Sequence, residues 1–218
     1  MLLTSAGIKN QSIMNALLDL LGKPTEECKA LLITTASYPL QNGADLAWKF
    51  ISGNSNLRMT DLGWESIGVL ELTAIAGLDQ SIWLPQLEAA DVLLVNGGDS
   101  IYLNKWMRAS KLNEILPSLD IVYVGLSSGS MVMTPKVGEE FMTWTKAPTT
   151  DMLGFVDFAI CPHLAHGNLK GNALEACEAW ARKIEIPAYI IDDETAIKVV
   201  DDQIEIISEG IWYLRNKK

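Results

Sequence analysis

Short apolar runs alternate along this chain with stretches in which apolar residues recur at helical spacing. Such short apolar runs are typical of buried strands. Because parallel strands need crossover helices, the order predicts βαβ units, a mainly parallel sheet and helices on both of its faces. The predicted strands are residues 2–4, 30–35, 67–72, 92–95, 121–124 and 189–191, and the predicted helices are residues 12–21, 44–52, 81–90, 100–116 and 168–184.

The C-terminal part of the chain departs from this alternation. Two strand-like runs, 196–200 and 203–207, flank the acidic pair Asp201-Asp202. A short polar turn between two such runs predicts a hairpin, and therefore an antiparallel addition to the sheet. Residues 136–157 show weak periodicity, and we expect them to contain a loop over the functional site.

Composition limits the class of protein. The chain has 218 residues, of which 49% are hydrophobic, so we expect residues 1–218 to form one domain with a substantial core. No apolar run approaches the roughly 18 residues that a membrane span requires. The N-terminus lacks the features of a signal peptide, and the three cysteines lack the spacing of a disulfide framework. These features predict a cytoplasmic protein with reduced thiols.

The net charge, the small number of histidines and the glycine pattern exclude further classes of protein. The net charge is −10 without any cluster of Lys or Arg, so we expect neither nucleic acid nor an anionic membrane as a partner. With only two histidines, a multi-histidine metal site is disfavoured. The glycines form neither a dinucleotide-binding fingerprint nor a Walker motif. We therefore expect no metal and no cofactor.

The motif that carries chemistry follows the predicted strand at 121–124. There the chain reads Gly125-x-Ser127-x-Gly129, which is typical of a nucleophile elbow, a sharp strand-to-helix turn that exposes a serine. The turn also aims the backbone N–H of Ser128, at a helix N-terminus, toward the reacting carbonyl oxygen. Neither Ser128 nor Ser130 has a glycine both two residues before it and two residues after it, so Ser127 is the predicted nucleophile.

A serine nucleophile needs a base, and only His163 and His166 are available. His163 follows an apolar run and Pro162, which places it at a strand end, whereas His166 lies near a helix start. We therefore favour His163 as the base.

The acid that orients the base is less determined, and a second oxyanion donor is also needed. Gly98, in the glycine turn after strand 92–95, is the favoured second donor. The order serine, histidine, acid differs from that of the α/β-hydrolases. The acid candidates lie in two acidic segments and are Asp192, Asp193, Glu194, Glu139 and Glu140.

In order along the chain, these landmarks resemble the peptidase E (aspartyl dipeptidase) family of serine peptidases, which is related to the cyanophycinases. The segments that carry the resemblance are Leu3-Thr4-Ser5, Gly97-Gly98-Asp99-Ser100-Ile101-Tyr102-Leu103, Gly125-Leu-Ser-Ser-Gly-Ser130, Pro162-His163 and Ile191-Asp-Asp-Glu-Thr-Ala196. The resemblance implies a three-layer α/β/α fold of the class I glutamine amidotransferase-like (flavodoxin-like) type, with the C-terminal antiparallel hairpin.

The resemblance also implies a reaction, which is hydrolysis of short peptides through an acyl-enzyme intermediate, without metal or cofactor. The residues that it assigns are Ser127 as nucleophile, His163 as base, Asp193 as acid with Asp192 next, and the Gly98 and Ser128 N–H groups as the oxyanion hole. A short peptide is then the expected partner, and the protein is expected to be a monomer or a small homo-oligomer.

Two departures from the family pattern concern the substrate. The Asn-Asp-Met-Pro segment of the aspartyl dipeptidases is missing from residues 139–143, and no arginine follows Lys170-Gly171 before Arg182. Strict preference for an N-terminal aspartate is therefore not implied. Two alternatives stay open: a related serine hydrolase that cleaves another amide or isopeptide, as cyanophycinases do, or a non-catalytic binding protein on the same fold.

Overall fold

The computed structural model describes residues 1–55, 57–141, 149–165 and 172–217. Its strands are β1 (Leu2–Thr4), β2 (Lys29–Ile33), β3 (Ser66–Val69), β4 (Val92–Val95), β5 (Val122–Leu126), β6 (Ala159–Cys161), β7 (Ala188–Ile191), β8 (Thr195–Val200), β9 (Gln203–Ser208) and β10 (Trp212–Arg215). Its α-helices are α1 (Gln11–Leu21), α2 (Gly43–Ile51), α3 (Leu72–Ile75), α4 (Gln80–Glu88), α5 (Ser100–Ala109), α6 (Leu112–Ile115), α7 (Ser128–Met131) and α8 (Leu174–Ile184).

The larger sheet has seven strands in the order β3-β2-β4-β5-β1-β8-β9. The first five are parallel, and β8 and β9 extend the sheet as an antiparallel hairpin. Asp201 and Asp202 both have positive φ angles, 48° and 63°, which suits the tight turn between the two hairpin strands. The predicted mainly parallel sheet with a C-terminal antiparallel hairpin is thus confirmed.

A second, three-stranded sheet has the order β10-β7-β6. Strands β6 and β7 are parallel, and β10 is antiparallel to β7. The sequence patterns did not separate this sheet from the larger one, because its strands have only three or four residues each. It matters for function because both β6 and β7 end close to the predicted site residues.

Helices cover both faces of the larger sheet, as predicted. Helices α1 and α2 pack on one face through Ile13, Leu17 and Phe50. Helices α4 and α5 pack on the other face, in a core that also includes one side of the small sheet. Helix α8 covers the opposite side of the small sheet, with Trp180 and Ile184 buried there. The elements thus form three layers, and the carboxyl ends of β1, β4 and β5 lie at the same edge of the larger sheet.

Three predicted elements have different bounds in the structure. The predicted helix 100–116 is broken, because Lys111 has φ 60° and the Ser110 hydroxyl bonds back to the carbonyl oxygen of Trp106 at 2.8 Å. The predicted strand 67–72 ends at Val69, and Leu72 begins α3. The predicted helix 168–184 begins at Leu174, with residues 168–171 outside the described part of the chain.

The predicted loop at 136–157 lies only partly within the described residues. Residues 136–141 and 149–157 are mostly irregular, with one antiparallel bridge between Lys136 and Asp151. All three cysteines are free and buried. Within the described ranges, no helix combines the length and the apolar character needed to cross a membrane.

Candidate active site

Ser127 lies between β5 and α7 with φ 51° and ψ −112°, a conformation that L residues rarely adopt. Close backbone packing leaves no room for side chains on either side of it. A Cβ at Gly125 would lie 2.5 Å from the carbonyl oxygen of Gly129, and a Cβ at Gly129 would lie 2.3 Å from that of Val95. Both flanking positions therefore require glycine, and the segment has the strand–turn–helix geometry of a nucleophile elbow.

The elbow is attached to the neighbouring strand as well as to its own. The N–H of Ser127 donates to the carbonyl oxygen of Thr4 at 3.0 Å, and the buried Ser130 hydroxyl donates to the same oxygen at 2.8 Å. The Tyr123 hydroxyl donates to the carbonyl oxygen of Gly129 at 2.6 Å. These contacts fix the first turn of α7 against β1 and β5, so the Ser127 side chain is held in place by the sheet.

His163 lies two residues beyond β6, after Pro162. Its φ angle is 60°, so its backbone is in the left-handed region that non-glycine residues rarely adopt. Its Nε2 atom lies 2.9 Å from the Ser127 hydroxyl oxygen. The competing histidine, His166, lies outside the described residues.

The other ring nitrogen of His163 faces Asp193. The Nδ1 atom lies 2.7 Å from Asp193 Oδ1, and the side chains of His163 and Asp193 are 21% and 25% exposed. The structure therefore brings Ser127, His163 and Asp193 into one continuous hydrogen-bonded chain, although 30 residues separate the histidine from the acid and 36 separate it from the serine.

Asp192, the second choice for the acid, lies in a different network. Its Oδ1 atom accepts hydrogen bonds from the backbone N–H of Glu194 at 3.1 Å and from the Thr195 hydroxyl at 2.7 Å. Its Oδ2 atom accepts the backbone N–H of Ile211. Asp192 thus holds the turn between β7 and β8 to the start of β10, and this use of both oxygens explains why it is not directed at His163.

The remaining acid candidates are also engaged elsewhere. Glu194 accepts a hydrogen bond from the Asn10 side chain at 3.0 Å. Glu140 forms an ion pair with Lys183, which lowers the pKa of the Glu140 carboxyl although its partial burial acts in the opposite direction. Glu139 is exposed in a short 3₁₀ turn.

The two predicted oxyanion donors lie on adjoining segments. Gly98, with φ 147°, is in the loop between β4 and α5, and its carbonyl oxygen accepts the Ser128 hydroxyl proton at 2.5 Å. A Cβ at Gly97 would lie 3.2 Å from the Cβ of Ser127, so this glycine loop packs directly against the elbow.

The N–H groups of both donors are available. The Gly97 carbonyl accepts a hydrogen bond from Ser37 at 3.2 Å, and in a trans peptide the adjoining Gly98 N–H points the opposite way. The N–H of Ser128 is at the first position of α7, where no helical acceptor exists. Within the described part of the chain, neither N–H has a hydrogen-bond acceptor. The arrangement can therefore receive a carbonyl oxygen that gains negative charge.

One residue near the site was missed by the sequence reasoning, which treated it only as part of the opening strand. Ser5 is fully buried, and its hydroxyl lies 3.0 Å from Asp193 Oδ1 and 2.8 Å from the backbone nitrogen of His163. A signal was present in the sequence, since Ser5 is a polar residue directly after a buried strand. In parallel sheets, functional residues occur at such positions.

Among the described residues, no group of three His, Cys, Asp or Glu side chains is arranged to hold a metal ion. The described site has the parts for acyl transfer by protein groups: a hydroxyl nucleophile, a neighbouring imidazole, a carboxylate behind it and two backbone N–H groups.

Comparison with known proteins shows the fold and the family of this chain. A candidate peptidase E protein from Listeria monocytogenes EGD-e has a similar fold, with 16% sequence identity, a TM-score of 0.68, and coverage of 95% of this chain and 97% of that chain. A peptidase from an acI-B1 Actinobacterium gives 17% identity, a TM-score of 0.68, and coverage of 98% and 88%. No curated protein matches this chain. A family model described as peptidase family S51 matches residues 1–207. The chain therefore belongs to peptidase family S51 and is a serine-type peptidase.

Proposed function

We propose that this protein hydrolyses short peptides, as a dipeptidase does, with Ser127 as nucleophile, His163 as general base and Asp193 as the acid that orients it. The observation that carries the proposal is the hydrogen-bonded chain from the Ser127 hydroxyl through both ring nitrogens of His163 to Asp193. The short-peptide substrate is supported by the resemblance to peptidase E and by the name of the Listeria protein with the same fold.

The proposed roles define the positions of the protons. Asp193 in its carboxylate form accepts hydrogen bonds only, so the Nδ1 atom of His163 carries the ring proton and donates it. The Nε2 atom is then free to accept the proton of the Ser127 hydroxyl. Asp193 thereby selects the tautomer in which His163 can act as a base, and it stabilises the imidazolium that forms.

The proposed reaction has two halves. Ser127 attacks the scissile carbonyl as its proton moves to His163, and the N–H groups of Gly98 and Ser128 hold the oxyanion. When the C–N bond breaks, His163 returns the proton to the leaving amine and an ester on Ser127 remains. Water then attacks this ester with His163 again as the base, which releases the acid product and restores Ser127.

Digestion of a dipeptide and tripeptide library, read by mass spectrometry, tests the proposal. We expect wild type to cleave members of the library and Ser127→Ala to lose about 10⁴-fold or more in rate. The variant should keep its fold, because the hydrogen bond that it loses is the one between the Ser127 hydroxyl and His163. Equal turnover by the two proteins would refute the assignment of Ser127. Silence from both would instead favour another amide substrate or a non-catalytic role.

A further inference from the structure

The buried hydroxyl of Ser5 joins two residues of the proposed triad that are far apart in the sequence. Ser5 directly follows β1, and the register of the sheet places Thr4 beside Leu126, the last residue of β5. The end of β1 therefore brings Ser5 to the same edge as the elbow. Ser5 has no exposed surface, so water does not compete for its hydrogen bonds.

The partners of the Ser5 hydroxyl follow from the proton count. A serine hydroxyl has one proton to donate and two lone pairs. The backbone N–H of His163 donates to Ser5 Oγ at 2.8 Å, so the hydroxyl acts as acceptor there. Its own proton goes to Asp193 Oδ1 at 3.0 Å, because in the proposed tautomer the nearby Nδ1 of His163, at 3.4 Å, carries a proton that it donates to Asp193.

We infer that Ser5 is a positioning residue that aligns His163 and Asp193 with each other; this inference rests on the proposed function. Two observations support this role. The backbone of His163 has an unfavourable positive φ angle, and the Ser5 hydroxyl oxygen holds it there by accepting the His163 N–H. Asp193 Oδ1 accepts two donors, one from the base and one from Ser5, so its carboxylate is held on the imidazole side.

The first test is Ser5→Ala, with kcat and KM measured on a dipeptide that wild type cleaves. A hydrogen bond to a charged group contributes enough that its loss should lower kcat about 10- to 100-fold. KM should change less than about threefold, since Ser5 is too deeply buried to touch substrate. Ser5→Cys, which keeps a weaker donor and acceptor, should have an intermediate kcat, and it carries the test if Ser5→Ala does not fold.

Ser110→Ala is the matched control. Ser110 is also buried, at 5% exposure, but its hydroxyl bonds to carbonyl oxygens within α5, remote from the site. This variant should lose stability to a similar degree as Ser5→Ala and keep wild-type kcat. If both serine variants lowered kcat equally, the effect of Ser5 would be a general loss of stability and the inference would be wrong.

A double-mutant cycle with Asp193→Asn separates positioning from a purely structural role. If Ser5 acts through Asp193, Ser5→Ala should cost much less in the Asp193→Asn background than in wild type. Additive losses would overturn the inference, and so would a kcat of Ser5→Ala within twofold of wild type. Failure of the proposed function is distinguished by Ser127→Ala: if that variant keeps activity, the triad itself is wrong, whatever Ser5 does.

Discussion

Gly98→Ala tests the proposed oxyanion hole through backbone geometry. A Cβ at Gly98 would lie 2.1 Å from the carbonyl oxygen of Ala36 and 2.8 Å from the nitrogen of Ser37. Real Cβ atoms essentially never approach other atoms closer than 3.0 Å. The two backbone segments would therefore have to separate by about 1 Å, and the hydrogen bond from the Asp99 N–H to the Ala36 oxygen, at 2.8 Å, would be stretched or lost.

The expected result follows from this displacement. A misplacement of about 1 Å at a catalytic group costs about 10²-fold in rate, and loss of one oxyanion donor costs about 10²- to 10³-fold. We therefore expect Gly98→Ala to lower kcat by about 10²-fold or more. The φ angle of 147° adds about 1–3 kcal/mol of backbone strain, which should reduce the free energy of unfolding.

The assay combines steady-state kinetics on a cleaved dipeptide with urea unfolding of the same samples. Gly22→Ala is the control, because Gly22 also has a positive φ, 66°, but a Cβ there would meet no atom within 4 Å. That variant should lose about 1–2 kcal/mol of stability and retain its kcat. A folded Gly98→Ala variant with kcat within threefold of wild type would refute the placement of the oxyanion hole at Gly98.

Two further predictions concern residues that support the site. Asp192→Ala should reduce the free energy of unfolding by about 2–3 kcal/mol, because three donors lose their acceptor, while kcat stays within about threefold of wild type. A large loss of kcat with unchanged stability would mean that Asp192, and not Asp193, is the acid. Tyr123→Phe should cost about 1–2 kcal/mol, since the carbonyl oxygen of Gly129 loses its donor. Burial raises the pKa of Tyr123 far above its ordinary value of 10, so the folded protein keeps this phenol protonated while the unfolded chain ionises it. Tyr123 therefore favours the folded state below pH 10, and this contribution is lost as the pH rises beyond 10. Urea unfolding at about pH 9 and about pH 11 should show a smaller alkaline loss of stability in Tyr123→Phe, and equal losses in both proteins would contradict the prediction.

The parts of the structure that could be predicted from the sequence are those with a local cause. The elbow was readable from nine consecutive residues, and Gly125 is required by its contact with Gly129 in the same turn, although the contact that requires Gly129 comes from Val95 of β4. The hairpin around Asp201 and Asp202 could also be predicted, because its turn and its strands are adjacent in the chain. The break in the helix at Lys111 was not predicted, because helical periodicity continues across it and the left-handed residue interrupts only the backbone.

Features that depend on distant packing could not be read in this way. The apolar run before His163 predicted a strand end there, but the pairing of β6 with β7, almost thirty residues later, could not be read from the sequence. Ser5 lies 158 residues from His163 and 188 from Asp193, and no spacing rule connects positions so far apart. The sequence shows that Ser5 is a polar residue after a buried strand. It does not show the partners of Ser5, because these depend on which strand end lies beside β1.

The choice between the two neighbouring aspartates shows how a fold assigns different roles to equivalent side chains. Successive side chains at the end of a strand point in different directions, so Asp192 and Asp193 cannot both face His163. The turn from β7 to β8 requires an acceptor for the N–H of Glu194 and the hydroxyl of Thr195, and Asp192 meets that requirement. Asp193 is then directed toward the imidazole, with Ser5 supplying its second donor. The two adjacent carboxylates thus have separate roles: Asp192 stabilises the turn, whereas Asp193, which Ser5 holds beside the imidazole, is available to orient the proposed base.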